Sequence, residues 1–375
     1  MKKQIKYLVL SDIHLGHSIN KTTYIVSNLR SYFKSNHNIF KHLDVIFIAG
    51  DTFDKLLTTS STDFIYAIEW LTELVLYCKH NKIKLRILEG TPSHDWRQSN
   101  VIITIIDKLK LEVDFKYINT LHIEHMEDLG INVLYVPDEY KHSAEETYDD
   151  LMKLMLEQRL SNVDIAIMHG QFTYQLPIQS ISSHNEDDYL SIVKYYISIG
   201  HIHKASVYSR ILAQGSFDRL AHGEEEDKGC VLVTMDYSSS DNNYICKFDF
   251  IINKQAMLYK TYRFDNESLE DIIETLDTDL KDIKHNSNIR LISNNDTHLT
   301  KTIQSIKDRY PHCIFKIEKQ KTDDVKIKLI KDTTINIESF TLTPDNLKSL
   351  LDKELVKYNL TKEELSIWDN EFKLI

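Results

Sequence analysis

Short apolar runs recur along the first 235 residues, and each stops abruptly at polar residues. Tyr7-Leu-Val-Leu runs into Ser11-Asp12-Ile13-His14, and Val45-Ile-Phe-Ile-Ala49 runs into Gly50-Asp51. Leu85-Arg-Ile-Leu88 leads to Gly90, and Asp164-Ile-Ala-Ile-Met168 leads to His169-Gly170. Tyr195-Tyr-Ile-Ser-Ile199 ends at Gly200-His201-Ile202-His203. Runs of this length, rich in β-branched and aromatic residues, predict buried strands. Helical patterns lie between them. Thr62 to His80 sets Phe64, Ile65, Ile68, Leu71, Leu74, Val75 and Cys78 at helix spacing behind an N-cap at Ser61 or Thr62. Ser143 and Glu146 form a capping box ahead of Leu151, Met152, Leu154 and Met155. These stripes read as core faces, not sites. The alternation predicts a layered α/β fold, in which ligands gather at the carboxyl ends of strands.

Beyond Asp236 the pattern changes. Residues 244–251 and 256–264 predict two strands joined by a turn at Asn253-Lys254. A helix from Ser268 to Leu280, a strand at Ile289–Ile292, a helix near 298–309 and a strand at Cys313–Ile317 then predict a small α+β domain. Two short amphipathic helices follow, one starting at Thr343-Pro344 and one at Thr361 with Glu364. Their apolar stripes (Leu347, Leu350, Leu351, Leu355, Tyr358; then Leu365, Trp368, Phe372, Ile375) need a surface to bury against. The expected division is a large domain over 1–264, a capping domain over 265–335 and a helical tail over 336–375.

Composition narrows the class. The 375 residues suit two or three domains, and 42% hydrophobic against 27% charged residues can bury a core. A net charge of −11 argues against coating nucleic acid or anionic membrane by charge alone. Cys78, Cys230, Cys246 and Cys313 are scattered without a C-x-x-C pair, so a zinc ribbon or disulfide framework is not expected. No apolar run reaches the roughly 18–20 residues of a membrane span. The stretch behind Met1-Lys2-Lys3 stops at Asp12, so the expectation is a cytoplasmic protein. Of only nine glycines, six (Gly16, Gly50, Gly90, Gly170, Gly200, Gly215) fall within two residues of a His, Asp or Ser at these strand ends. None follows Gly229.

Five polar clusters occur in order: Asp12-x-His14, Gly50-Asp51-x-x-Asp54, Gly90-Thr-Pro-Ser-His94-Asp95, His169-Gly170 and Gly200-His201-x-His203. Any one alone is weak. Carboxylates combined with imidazoles at five strand ends suit a two-metal site for Mn²⁺, Fe²⁺ or Zn²⁺, with one carboxylate bridging.

The set resembles the calcineurin-like metallophosphoesterase superfamily, whose pattern is D-x-H, G-D-x-x-D, G-N-H-[DE], a lone His and G-H-x-H. Gln214-Gly215-Ser216, followed by Lys228-Gly229-Cys230-Val-Leu-Val233, resembles the SbcD-type nuclease subunits of double-strand-break repair complexes and their bacteriophage relatives. The motif match spans residues 5–235. The resemblance implies a two-sheet α/β sandwich with a cap, and a tail that docks onto a coiled-coil, SMC-like ATPase. It implies one metal held by Asp12, His14, Asp51 and His203, and a second held by Asp51, His169, His201 and Ser93. Ser93 stands where the pattern has an Asn ligand, which weakens the expected hold on the second metal. His94, oriented by Asp95, is the implied acid toward the leaving oxygen, with Asp54 orienting a ligand. Ser216, Arg219 and Lys228 are candidates to meet substrate phosphates; His17 and His222 match no ligand position and read as surface histidines.

The expected protein is a DNA exonuclease/endonuclease using two divalent cations, Mn²⁺ preferred, with DNA, the ATPase and a second copy of itself as partners. The rivals are a stand-alone phosphodiesterase or phosphatase for small molecules, and a non-catalytic scaffold for the ATPase.

Overall fold

The buried apolar runs form strands in a computed structural model, which describes residues 2–178, 180–264, 267–281, 287–293 and 296–319. These residues belong to one unit, Met1–Lys319. Strands β1 (Gln4–Leu10), β2 (Val45–Ala49), β3 (Lys84–Leu88) and β4 (Phe115–Ile118) lie parallel in one sheet. Every residue of β2 is buried, as a central strand covered on both faces must be.

A second sheet follows in the chain. β5 (His122–Met126) pairs antiparallel with β6 (Ile131–Val136), and β6 runs parallel to β7 (Ile165–Phe172). The two-residue β8 (Ser183–His184) pairs with the end of β7, and β9 (Ile197–His201) continues the parallel set. β10 (Ser206–Tyr208) pairs antiparallel with β11 (Ile211–Ala213), giving the order β10-β11-β9-β7-β6-β5. The chain then returns to the first sheet through β12 (Gly229–Ser238), antiparallel to β1, and β13 (Asn243–Ile252) beside it.

The sheets face each other across an apolar layer in which Tyr7, Val9, Val45 and Phe47 meet Val133, Tyr135, Ile165 and Ile167. Helices α1 (Thr22–Ser35), α2 (His37–Phe40) and α3 (Thr62–Asn81) cover the outside of the first sheet. Ser61 caps α3 by accepting the Phe64 N–H at 3.1 Å, a bond worth about 1 kcal/mol. The buried face of α3 centres on Ala67, Trp70, Leu71, Leu74 and Cys78; Ile65 is exposed. The short turn α4 (Pro92–Asp95) and helix α5 (Val101–Leu109) follow β3. On the second sheet, α6 (Ala144–Glu157) and α7 (Glu186–Ile192) bury Leu151, Met155, Tyr189 and Ile192. Ser143 caps α6 through the Glu146 N–H at 3.1 Å.

Residues 244–251 and 256–264 are two strands joined through a turn at Lys254-Gln255, as expected, but they belong to different sheets. β13 pairs along its whole length with β12, whereas β14 (Tyr259–Phe264) runs parallel to β15 (Ser287–Ser293), which runs parallel to β16 (Cys313–Lys319). Parallel neighbours need crossovers, and α8 (Leu269–Leu280) and α9 (Asp296–Arg309) supply them. Ser268 caps α8 through the Asp271 N–H, and Ile272, Leu276, Ile289, Leu291 and Ile306 form a core of their own. The expected boundary at 264/265 therefore falls just behind a strand of the small sheet. The expected tail, 336–375, lies outside the described residues. Among the described residues, no helix is long and apolar enough to cross a membrane.

Candidate metal centre

Four strand ends, those of β1, β2, β7 and β9, converge from the two sheets on one point. The loops after β1 and β2 interlock through the backbone. The Asp12 N–H donates to Gly50 O at 3.1 Å, while the Ile13 and His14 N–H groups both donate to Asp51 O at 2.8 and 3.1 Å. Asp12, His14 and Asp51 all hold left-handed backbone, with φ of 50°, 54° and 48°. Each such residue costs about 1–2 kcal/mol, and the interlocked loops over-determine them. Gly50 shares the left-handed conformation, and a side chain there would run into the His169 ring; one at Gly90 would strike the Asp51 backbone. Glycine at 50 lets the His169 ring of the second sheet close in, and glycine at 90 lets the loops after β2 and β3 lie against each other.

The side chains group as Asp12–His14–His203 and Asp51–His169–His201, with His14, Asp51 and His94 forming a third overlapping set. His14 Nε2 lies 3.2 Å from His203 Nε2 and 3.8 Å from Asp51 Oδ2, and His203 Nε2 lies 3.9 Å from Asp12 Oδ1. On the other side of Asp51, Oδ1 is 3.3 Å from His169 Nε2. Asp51 thus presents one oxygen to each group, as a bridging carboxylate does.

The far nitrogens of these imidazoles show what the near ones are for. His14 Nδ1 meets Asp54 at 3.1 Å, His203 Nδ1 meets Glu224 at 2.9 Å, and His169 Nδ1 donates to Ala49 O at 2.6 Å. Each pairing puts the proton on Nδ1 and turns a lone pair at Nε2 inward, the arrangement found around metal-ligating histidines. His169 Nε2 is fully buried and has no hydrogen-bond partner. A buried lone pair beside a carboxylate oxygen with no donor between them is satisfied by a cation. The residues therefore fit a metal, and these clusters can hold one.

The electrostatics agree. Burial alone would push the Asp51 carboxyl up, but His169, His94 and His14 outweigh it and hold it far below the usual carboxylate range. Burial would likewise lower His169, yet Asp51 and Asp12 raise it well above its ordinary value. The Asp51 carboxylate thus calls for a positive charge beside it, as a proton on His169 or as a bound cation.

No family model matches this sequence, and no curated protein does. Solved structures do match. One crystal structure, 10% identical, is covered over 99% of its own length and covers 66% of this chain, with a TM-score of 0.39. Agreement that low says nothing about function, so the geometry stands by itself.

That geometry gathers Asp12, His14, Asp51, His94, His169, His201 and His203, all singled out by sequence, and it gives Asp54 its orienting role. It departs from expectation at five residues. Asp95 does not touch His94; buried, it accepts the Phe53 and Gly90 N–H groups at 2.8 and 2.7 Å, stapling two loops together. His94 Nδ1 instead lies 2.7 Å from Asp51 Oδ2. Ser93 is exposed on the turn α4, with only its carbonyl engaged, by the Trp96 indole N–H. The residue of that loop at the centre is Thr91: its N–H donates to Asp51 Oδ1 at 2.7 Å, and its hydroxyl lies 3.3 Å from His201 Nδ1. The Pro92–Asp95 turn leaves Ser93 exposed while Thr91, just before it, stays at the centre.

Ser216 is buried and donates to Asp218 O at 2.7 Å, out of reach of a phosphate. Arg219 is turned into its own loop, where Nε donates to Glu226 O at 3.1 Å. Lys228 is buried too, bonded to His203 O at 2.8 Å and paired with Glu224 at 3.0 Å and Glu226 at 2.8 Å. These residues shape the loop behind His203. Three residues at the centre were missed: Thr91, Glu224 and Asp138. Asp138 follows an apolar run, Val133–Val136, that ends at Pro137-Asp138. That is the strand-then-acid signal seen at Asp51, in a strand the apolar pattern had not picked out.

Proposed function

We propose that this protein is a metal-dependent phosphodiesterase acting on DNA, the nuclease subunit of an SbcCD-type complex. The observation that carries the reading is Asp51, which turns one oxygen toward each of two imidazole–carboxylate groups. When bound, paired cations supply Lewis-acid activation of water and charge neutralisation at a phosphate. The chain's residues do the rest. Asp54, Glu224 and the Ala49 carbonyl fix the imidazole tautomers, and the strained loops hold the ligand atoms in place before substrate arrives. His94, reaching the site from the rim with Nδ1 against Asp51, would deliver a proton to the departing oxygen.

Polymeric substrate is favoured by access. The side chains of His94, His201 and His203 are 36%, 32% and 31% exposed, so one wall of the site is open while Asp12, Asp51 and His169 form its buried floor. Trp96 stands exposed two residues from His94 and offers a stacking surface for an unpaired base. The net charge of −11 is unfavourable for gripping DNA, and a coiled-coil ATPase partner would supply that grip. The gathering of three imidazole–carboxylate groups around Asp51 and Asp12 weighs against a scaffold without activity.

The test is Mn²⁺-dependent cleavage of single-stranded and supercoiled plasmid DNA by the purified protein, alone and with the ATPase, beside a phosphomonoester and a small phosphodiester. DNA cleavage abolished by chelator supports the reading. Turnover of the small esters without DNA cleavage would replace it with the small-molecule enzyme, and metal binding without any turnover would replace it with the scaffold.

A further inference from the structure

Asp138 stands at the end of β6, on the His201 side of the centre, and nothing in the ligand pattern accounts for it. Its Oδ2 lies 3.6 Å from His201 Nδ1 and accepts the Thr91 hydroxyl at 3.1 Å. That hydroxyl is 3.4 Å from Asp51 Oδ2 and 3.3 Å from His201 Nδ1. The side chain of Asp138 is only 10% exposed, and among the described residues it pairs with no lysine or arginine. A buried carboxylate without a cation is costly.

Ligand atoms on adjacent corners of an octahedron of radius about 2.1 Å stand about 3.0 Å apart. Of the atoms proposed as ligands, Asp138 Oδ2 and His201 Nδ1 stand 3.6 Å apart, somewhat wider than that, and Asp138 lies beside rather than within the compact group of Asp51, His169 and His201, so its side chain must close inward on the ion. The unpartnered Nε2 of His169 points independently to a cation on this side of Asp51. The Asp138 turn is also built: its Oδ1 accepts the Glu139 N–H at 3.0 Å, with Glu139 in left-handed backbone, which leaves Oδ2 facing the site.

We infer that Asp138 is a ligand of the second cation, supplying from β6 the oxygen that the loop after β3 does not. The inference rests on the two-metal reading and deepens it. The ligand set of that cation becomes Asp51, His169, His201 and Asp138, with the Thr91 hydroxyl bonded to the carboxylate. An anionic oxygen in place of a neutral amide adds one negative charge and favours hard cations such as Mn²⁺ over softer ones.

The experiment titrates Mn²⁺ into the full chain by calorimetry, with electron paramagnetic resonance on the loaded protein and thermal unfolding of the metal-free protein as a fold check. Wild type is expected to take two Mn²⁺ and give the spectrum of a coupled pair. Asp138→Ala should keep the first Mn²⁺ and weaken the second by at least about tenfold, leaving the six-line spectrum of an isolated ion. Asp138→Asn keeps an oxygen without the charge and should weaken the second ion by less. If Asp138→Ala does not fold, the isosteric Asn variant carries the test. Two Mn²⁺ bound with unchanged affinity by whichever variant folds would overturn the inference and leave the two-metal reading standing. A wild-type protein binding fewer than two Mn²⁺ would overturn both.

Discussion

His169 and Asp51 stand 3.3 Å apart although they belong to different sheets, His169 on β7 and Asp51 just past β2. The contact exists because Gly50 lets the imidazole lie against the backbone between them, and because His169 Nδ1 is tied to Ala49 O at 2.6 Å. The centre is therefore a property of the sandwich, assembled where two sheets touch, and its ligands are pre-oriented by backbone and carboxylates outside the ligand set.

Replacing the shared carboxylate tests that assembly. Asp51→Asn keeps an oxygen for the Thr91 N–H, so the fold should survive with little change in melting temperature. Hydrolysis should fall by at least about 10³-fold, because the bridge between both groups loses its charge. Circular dichroism and a cleavage assay on one preparation check it; a folded variant with wild-type turnover refutes the bridging role.

Glu224 sets the tautomer of His203 at 2.9 Å, and Lys228 holds Glu224 in turn. Glu224→Gln can present its amide in either sense, so the inward lone pair of His203 is no longer enforced. Metal affinity should drop by about 10–100-fold with the fold intact. Competition against a fluorescent chelator measures this, and an unchanged affinity would reduce Glu224 to a loop-packing residue.

Asp95 joins the loops after β2 and β3 and is not a partner of His94. Burial, together with the Asp51 charge, pushes its carboxyl up to about 8. Asp95→Ala strands two buried N–H groups and should cost about 2–4 kcal/mol of stability. The predicted signature is a lowered denaturation midpoint with the pH dependence of cleavage unshifted. A shifted pH profile at unchanged stability would restore the catalytic role.

Asp218 gives a pH dependence away from the centre. Burial pushes its carboxyl up to about 6, against the Met257 and Arg219 N–H donors at 2.5 and 2.7 Å. A raised acid is stabilising when protonated, so its contribution is full below about pH 4 and is lost as pH rises through 6. Asn28 Oδ1 is buried without a partner beside it, and a protonated Asp218 can satisfy that oxygen once the amide turns over. Asp218→Asn should flatten the stability curve between pH 4 and 7, removing a slope worth up to about 3 kcal/mol. Chemical denaturation at four pH values decides it; parallel curves for the two proteins would show that Asp218 is charged throughout.

The strands bearing ligands were legible because each carries a largely buried apolar run, so the polar residues that break or end the run stand out. The helices of the small sheet were legible for a similar reason: Ser268 caps α8 through a bond made within one turn. Seven ligand-type side chains followed from those stops, and the positions of the scarce glycines marked where backbones approach.

Pairing was not legible. Whether 256–264 returns to β13 or starts a new sheet depends on which edge is open after folding, and no local pattern encodes that. Ser93 and Thr91 are equally plausible in one dimension; the Pro92–Asp95 turn, seen only in space, leaves one exposed and brings the other to Asp51. Asp95 sits beside His94 in the chain and bonds elsewhere, since neighbours on a tight turn point apart. Asp138 reaches the centre from the end of β6, far in the chain from any motif, and Glu224 from the loop between Ser216 and Lys228, where nothing in the local pattern singles it out. Sequence determined which side chains carry the chemistry at strand ends, because burial forces polarity there. Apart from Asp54, which the motif marked, tertiary structure decided which groups orient them, because those partners meet only when distant segments fold together.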